Sequence, residues 1–146
     1  MRMLNSPHMA ALATLLCSSL LVGCQPTALP AAQRPAVELP ILAGDLTLGK
    51  QVFVRECSKC HQLGAGRNSK APQLERVYGA PAGTLADYHA RYSSAMRNSG
   101  WRWDVATLDR YLADPEVALP NGKMLSDPLP DAAERQAVIA YLSTLR

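Results

Sequence analysis

The 146 residues suffice for one domain, and a hydrophobic content of 48% allows that domain a packed core. A formal charge of only +3, with no long basic run, gives no footing for nucleic acid as a partner. Aromatic residues make up just 5%, so a large apolar cofactor could supply the missing core volume.

Behind Arg2, the stretch Met9 to Val22 is apolar apart from Thr14, Cys17, Ser18 and Ser19. It falls short of the about 20 residues that a spanning helix needs, and its length suits the apolar region of a secretory signal. It runs into Leu21-Val22-Gly23-Cys24, which resembles the lipobox of bacterial lipoproteins. There, cleavage precedes the cysteine and its sulfur receives a diacylglycerol. Cys17 follows Leu16, too large a residue for that cleavage position, so Cys24 is the lipidation candidate. Ordinary signal cleavage, leaving Cys24 a plain thiol, is the alternative. Residues 1–23 are thus expected to be a lipoprotein signal peptide. Each buried CH₂ contributes about 0.8 kcal/mol, and two chains or more anchor stably where one does not. The mature protein is expected on the periplasmic side, lipid-anchored to one of the bacterial membranes.

Residues 24–43 hold Pro26, Pro30, Pro35 and Pro40 among alanines, a composition that favours extended polyproline II. At about 3.1 Å per residue, such a linker could reach roughly 60 Å from the bilayer. The domain proper is expected over 44–146. Asp45 can cap a helix over 46–57, with Leu46, Gly49 and Phe53 on one face. A loop with Gly64, Gly66 and Pro72 leads to a short helix expected around 73–78. Residues 87–98 read as a helix stopping at Gly100. Asp104 can cap the next, which bears Leu108, Tyr111 and Leu112 and is ended by Pro115. Pro120, Asn121 and Gly122 make an irregular loop. Asp131 with Glu134 resembles a capping box opening a last helix, with Val138, Tyr141, Leu142 and Leu145 on one face. No run reads as a strand, so the fold class is all-α.

Cys57-Ser58-Lys59-Cys60-His61 carries the chemistry. The two sulfurs stand at a spacing that reaches both vinyl groups of one porphyrin, and the adjacent histidine then lies under the iron; the pattern reads as c-type haem attachment. A redox dithiol would call for a thioredoxin-like βαβ context. A zinc site would need a second ligand pair, and the downstream histidine left for it is His89. A disulfide closing so short a loop gains little entropy. An electron-carrying iron favours a sixth ligand, usually Met or His. Met124 follows Pro120-Asn121-Gly122-Lys123, a loop that can present a side chain inward. Met96 reads as core and His89 as a surface histidine, so Met124 is the expected ligand.

From Gly49 onward the chain resembles class I cytochrome c, the small mono-haem type, through an ordered set of segments. Gly49 and Phe53 precede the haem motif, and Ala71-Pro72-Gln73-Leu74 looks like the family's proline segment. Tyr92, Trp103, then Leu108, Tyr111, Leu112 and Pro115 follow at family spacing, with Met124 after them and Val138 to Leu142 as the terminal helix. The resemblance implies a cytochrome c fold: N- and C-terminal helices crossing, with three to five short helices around one covalent haem. It implies that the Pro72 carbonyl accepts from His61 Nδ1–H, and that Trp103 and Tyr92 bond a buried propionate. It places Tyr111 near the Met124 sulfur, and Phe53 against Tyr141 where Gly49 lets the helices cross. The cofactor set is then one haem c on Cys57 and Cys60, with iron ligated by His61 and Met124.

The function expected is single-electron transfer between redox proteins of respiratory or dehydrogenase complexes, with no small-molecule substrate and no enzymatic activity. The alternative is a dedicated cytochrome subunit of a periplasmic dehydrogenase or oxidase complex. Few lysines are present, so docking by a strongly positive ring is not expected.

Overall fold

Asp45 starts the first helix by accepting a hydrogen bond from Leu48 N at 2.8 Å. In the computed structural model, which describes residues 42–146, this cap opens α1 (Leu46–Val52). The signal segment, Cys24 and the linker up to residue 41 lie outside the described residues. Past Val52 the helix widens into a π-turn, Phe53–Cys57, closed by Ser58 N on Phe53 O at 3.0 Å. Together the two pieces cover the span expected for the first helix. Such π-turns recur at functional sites, and this one ends on Cys57.

The last helix, α5 (Ala132–Ser143), crosses α1. Gly49 makes the crossing possible: a methyl there would lie 2.2 Å from the Ala137 carbonyl oxygen and 2.8 Å from Tyr141 Cβ. Phe53 meets Tyr141 beside it, ring centroids 5.6 Å apart. Val52 of α1 and Val138, Ile139 and Leu142 of α5 are buried in the core, each worth about 1.5–3 kcal/mol of apolar burial. Asp131 caps α5 through Ala133 N and Glu134 N. The capping box is only half made, because the Glu134 carboxylate turns to Arg55 Nη2 at 2.7 Å.

Between these helices the chain departs from the expected pattern in three places. Residues 73–78 form turns rather than a helix, with Arg76 in the left-handed region at φ 57 and its N–H bonded to Leu145 O at 2.7 Å. The helix expected over 87–98 is broken at Tyr92, which is extended. A 3₁₀ helix, Ala86–Arg91, precedes the break, and α2 (Ser94–Arg97) follows under its own cap, Ser93 Oγ on Met96 N. The local serine cap outcompetes continuation of the helix. Pro115 does follow an extended residue, Asp114, which ends α3 (Val105–Ala113). It also opens α4 (Pro115–Ala118), because proline suits a first helical position. Asp104 caps α3 through Thr107 N at 2.8 Å, as expected.

No strand occurs among the described residues; an isolated antiparallel bridge pairs Pro81 with Arg102. It is extended by Ala82 N to Trp101 O and Trp103 N to Ala80 O, at 2.8 and 2.9 Å. This ties the segment carrying both tryptophans to the turn before it. Among the described residues no helix is long and apolar enough to cross a membrane.

Candidate functional site

The end of the π-turn delivers the cysteine–histidine motif. Cys60 N and His61 N both bond back to Cys57 O, at 3.1 and 2.9 Å, so the motif winds tightly after Cys57. Neither Cys57 nor Cys60 is in a disulfide. Cys57 is half-buried and Cys60 exposed. Burial, with the Glu56 charge close by, pushes the Cys57 thiol up to about 11. An attacking redox thiol would be shifted the other way, so this environment argues against a dithiol oxidoreductase.

His61 Nδ1 lies 2.7 Å from the Pro72 carbonyl oxygen. That carbonyl can only accept, so Nδ1 carries the proton and Nε2 the lone pair, which is the metal-ligating tautomer. The segment between these residues is held at close intervals. Ala71 N bonds Cys60 O and Leu74 N bonds Gln62 O, at 3.1 and 3.0 Å. Asn68 Oδ1 accepts from Gln73 N at 2.9 Å, one residue past Pro72. Gly64 and Gly66 supply the left-handed turns, at φ 104 and 76.

The remaining expected site residues converge on one hydrophobic cluster. Trp103 and Tyr111 are buried members of it, ring centroids 5.2 Å apart. Cys57, Tyr92 and Met124 are partly buried and pack against it. Burial pushes the Tyr111 hydroxyl up to about 12, so it stays a neutral phenol at physiological pH. Tyr92 sets its ring edge-on to Tyr88, centroids 5.0 Å apart. Met96 is buried core and His89 is exposed, as their positions in the sequence imply.

Several residues of the site escaped the sequence reading. Trp101 stacks edge-on to Trp103 and Tyr111 and carries the Arg110 guanidinium 4.5 Å over its ring. The Trp101-Arg102-Trp103 alternation, with one face apolar, was the available signal. Tyr88 is buried and donates its hydroxyl to Lys70 O at 3.2 Å. Arg135 reaches from α5 to the loop bearing Met124, a link no local pattern announces.

The donor set fits covalent haem: two unbridged thiols at the end of a widened helix, an imidazole fixed in its ligating tautomer, and a thioether packed against the hydrophobic core. The model for the family described as "Cytochrome c" matches residues 46–146. The chain is 45% identical over 89 residues to cytochrome c2 iso-2 of Magnetospirillum fulvum, covering 61% of this chain and 91% of that protein. It is 42% identical over 103 residues to cytochrome c2 of Rhodomicrobium vannielii, covering 70% of this chain and 80% of that one. Among solved structures, cytochrome cH from Methylobacterium extorquens superposes with a TM-score of 0.64 at 39% identity, over 69% of this chain and 99% of its own.

Proposed function

The chain belongs to the cytochrome c family, and on that premise we propose that it is a lipid-tethered carrier of single electrons on the exported side of a bacterial membrane, with His61 and Met124 as axial ligands. The family binds haem c covalently through two cysteines, and Cys57 and Cys60 stand at that spacing. Electron transfer with redox-protein partners is the family's activity. The haem supplies a one-electron couple. The bond from His61 Nδ1 to the Pro72 carbonyl, at 2.7 Å, carries the assignment. It holds the imidazole in one orientation and makes it a stronger ligand.

Each remaining residue has a role in that reading. A thioether at Met124 favours ferrous iron and raises the potential. Trp103 and Tyr111, both buried, exclude water from the Met124 side of the core. Trp103 and Tyr92 are the donors proposed for a propionate, whose buried charge needs hydrogen bonds. Cys24 is proposed to hold the chain to the membrane through its lipid, the linker giving the domain reach toward partners.

The test is mass analysis of exported protein. The expected product begins at Cys24, carries diacylglycerol, and has one tetrapyrrole added at Cys57 and Cys60. Free thiols at both positions, with no added tetrapyrrole, would overturn the haem reading. A Cys24→Ser chain that still sediments with membranes would overturn the tether.

A further inference from the structure

Met124 sits in a stretch with few attachments of its own. Among the described residues, no backbone–backbone hydrogen bond is made by Lys123 to Pro128. Leu125, beside Met124, is 98% exposed. The position of the Met124 sulfur is therefore set by what grips the two ends of the loop. At the first end, Gly122 N bonds Leu119 O at 2.9 Å across a turn with Asn121 at φ 63, and Lys123 Nζ reaches Arg91 O at 3.2 Å. At the second end, Leu129 N bonds Leu112 O at 3.0 Å. One side chain does most of the rest. Arg135 Nη1 donates to Leu129 O and Pro130 O, both at 2.8 Å. Its Nε donates to Asp109 Oδ1 at 2.7 Å. The Arg135 side chain is only 12% exposed. Asp109 belongs to α3, the helix that also carries Tyr111 and Leu112.

We propose that Arg135 is a positioning residue for the sixth ligand: a single guanidinium clamps the far end of the Met124 loop to α3 and α5, and so keeps the thioether in place against competing ligands. The inference rests on Met124 being that ligand. The planar fork is what the site uses, since its donors point in fixed, different directions. A lysine at 135 has one charged head and cannot span the Asp109 carboxylate and two carbonyls with the same geometry.

The test uses full-length holoprotein with Arg135→Gln, Arg135→Lys, Asp109→Asn and Arg55→Gln. Three quantities are read: the thioether-to-iron charge-transfer absorption of the ferric form, imidazole affinity of that form, and the urea midpoint. Arg135→Gln is expected to bind imidazole about tenfold more tightly, because charged hydrogen bonds that hold the closed loop are gone. Arg135→Lys should fall between it and the wild type. Asp109→Asn should move the same way by less, since both carbonyl bonds remain, and it decides the matter if Arg135→Gln yields no holoprotein. Arg55→Gln also removes a bond to α5 but none to the loop, and should leave imidazole affinity unchanged. Imidazole affinity in Arg135→Gln within about twofold of wild type, with only the urea midpoint lowered, would reduce Arg135 to a structural residue and overturn the clamp. Absence of the charge-transfer absorption from the wild type itself would instead overturn Met124 as ligand, and the clamp with it.

Discussion

The segment from Cys57 to Gln73 and the segment from Leu119 to Asp131 carry the two candidate axial ligands, and they are held to different degrees. The first is held largely from within, with Tyr88 and Arg91 adding bonds to Lys70 and Ser69 from the next segment. His61, Pro72, Asn68 and the Cys60–Ala71 pair bond one another across short sequence separations. The second is held from outside, by Lys123 on Arg91, Leu112 on Leu129, and Arg135 on two carbonyls. Loss of one bond leaves the first segment with several others, whereas residues 123–128 of the second make no backbone–backbone bond and rely on Lys123, Arg135 and the Leu129–Leu112 bond at their ends. Local opening free energies follow such differences in attachment. The histidine side is thus the fixed half of the site and the methionine side the exchangeable half.

Both halves hang on the crossing of α1 and α5, so the largest effect should come from there and should not distinguish them. Gly49→Ala puts a methyl 2.2 Å from a backbone oxygen, where no side chain can rotate away. A cost of about 3 kcal/mol or more is expected, read as a lowered urea midpoint or failure to accumulate holoprotein. Met124→His tests the exchangeable half alone. The fold should persist, while the potential falls by on the order of 0.2 V, within the roughly 0.8 V that axial ligands span. An unchanged potential would remove Met124 from the iron.

The same contrast explains what could be read before the fold was known. The histidine half was legible because its chemistry is local. Cys57, Cys60 and His61 announce themselves by spacing, and the Asp45, Asp104 and Asp131 caps by their place before apolar periodicity. Met124 could be singled out from its irregular loop, but Arg135 could not, since nothing in sequence ties a helix residue to carbonyls of the preceding loop. The breaks were hidden for related reasons. Ser93 capping α2 competes with a continuous helix over 87–98, and the turns at 73–78 are held by Arg76 N on Leu145 O, a contact from the far end of the chain. Trp101, Trp103 and Tyr111 meet across the start of α3, and the Pro81–Arg102 bridge that fixes the tryptophan segment to the turn before it has no local sequence signature.

Tyr111, on the helix α3 to which Arg135 ties the methionine loop, gives a pH test. Its folded-state hydroxyl is pushed up to about 12 by burial, above the value of about 10 in an unfolded chain. The unfolded state therefore releases its proton first. The contribution is intact below about pH 10 and is lost as pH rises toward about 12, amounting to about 2–3 kcal/mol. Urea unfolding at stepped alkaline pH should show wild type losing that much more than Tyr111→Phe. Parallel curves for the two proteins would mean that Tyr111 is open to water. On the histidine half, Asn68→Ala removes the bond to Gln73 N and should cost about 1 kcal/mol by urea unfolding. Imidazole affinity should not change, because the Ala71 and Leu74 bonds still hold the segment. A gain in affinity as large as that of Arg135→Gln would erase the distinction between the halves.

The smallest effect is expected at Glu134, which sits on the same helix as Arg135 but touches neither half. In sequence it completes a capping box with Asp131, yet its carboxylate bonds Arg55 instead, in an ion pair with side chains 48% and 25% exposed. Exposed pairs of this kind contribute little, because water and salt screen the attraction and two long side chains must be ordered. Glu134→Ala should leave the melting temperature of the holoprotein unchanged at moderate salt. Asp131→Ala should lower stability by about 1 kcal/mol, since it takes away the acceptor for Ala133 N and Glu134 N. Equal losses in the two variants would mean that Glu134 closes the box in solution. The start of α5, three residues before the clamp, would then rest on both carboxylates rather than one.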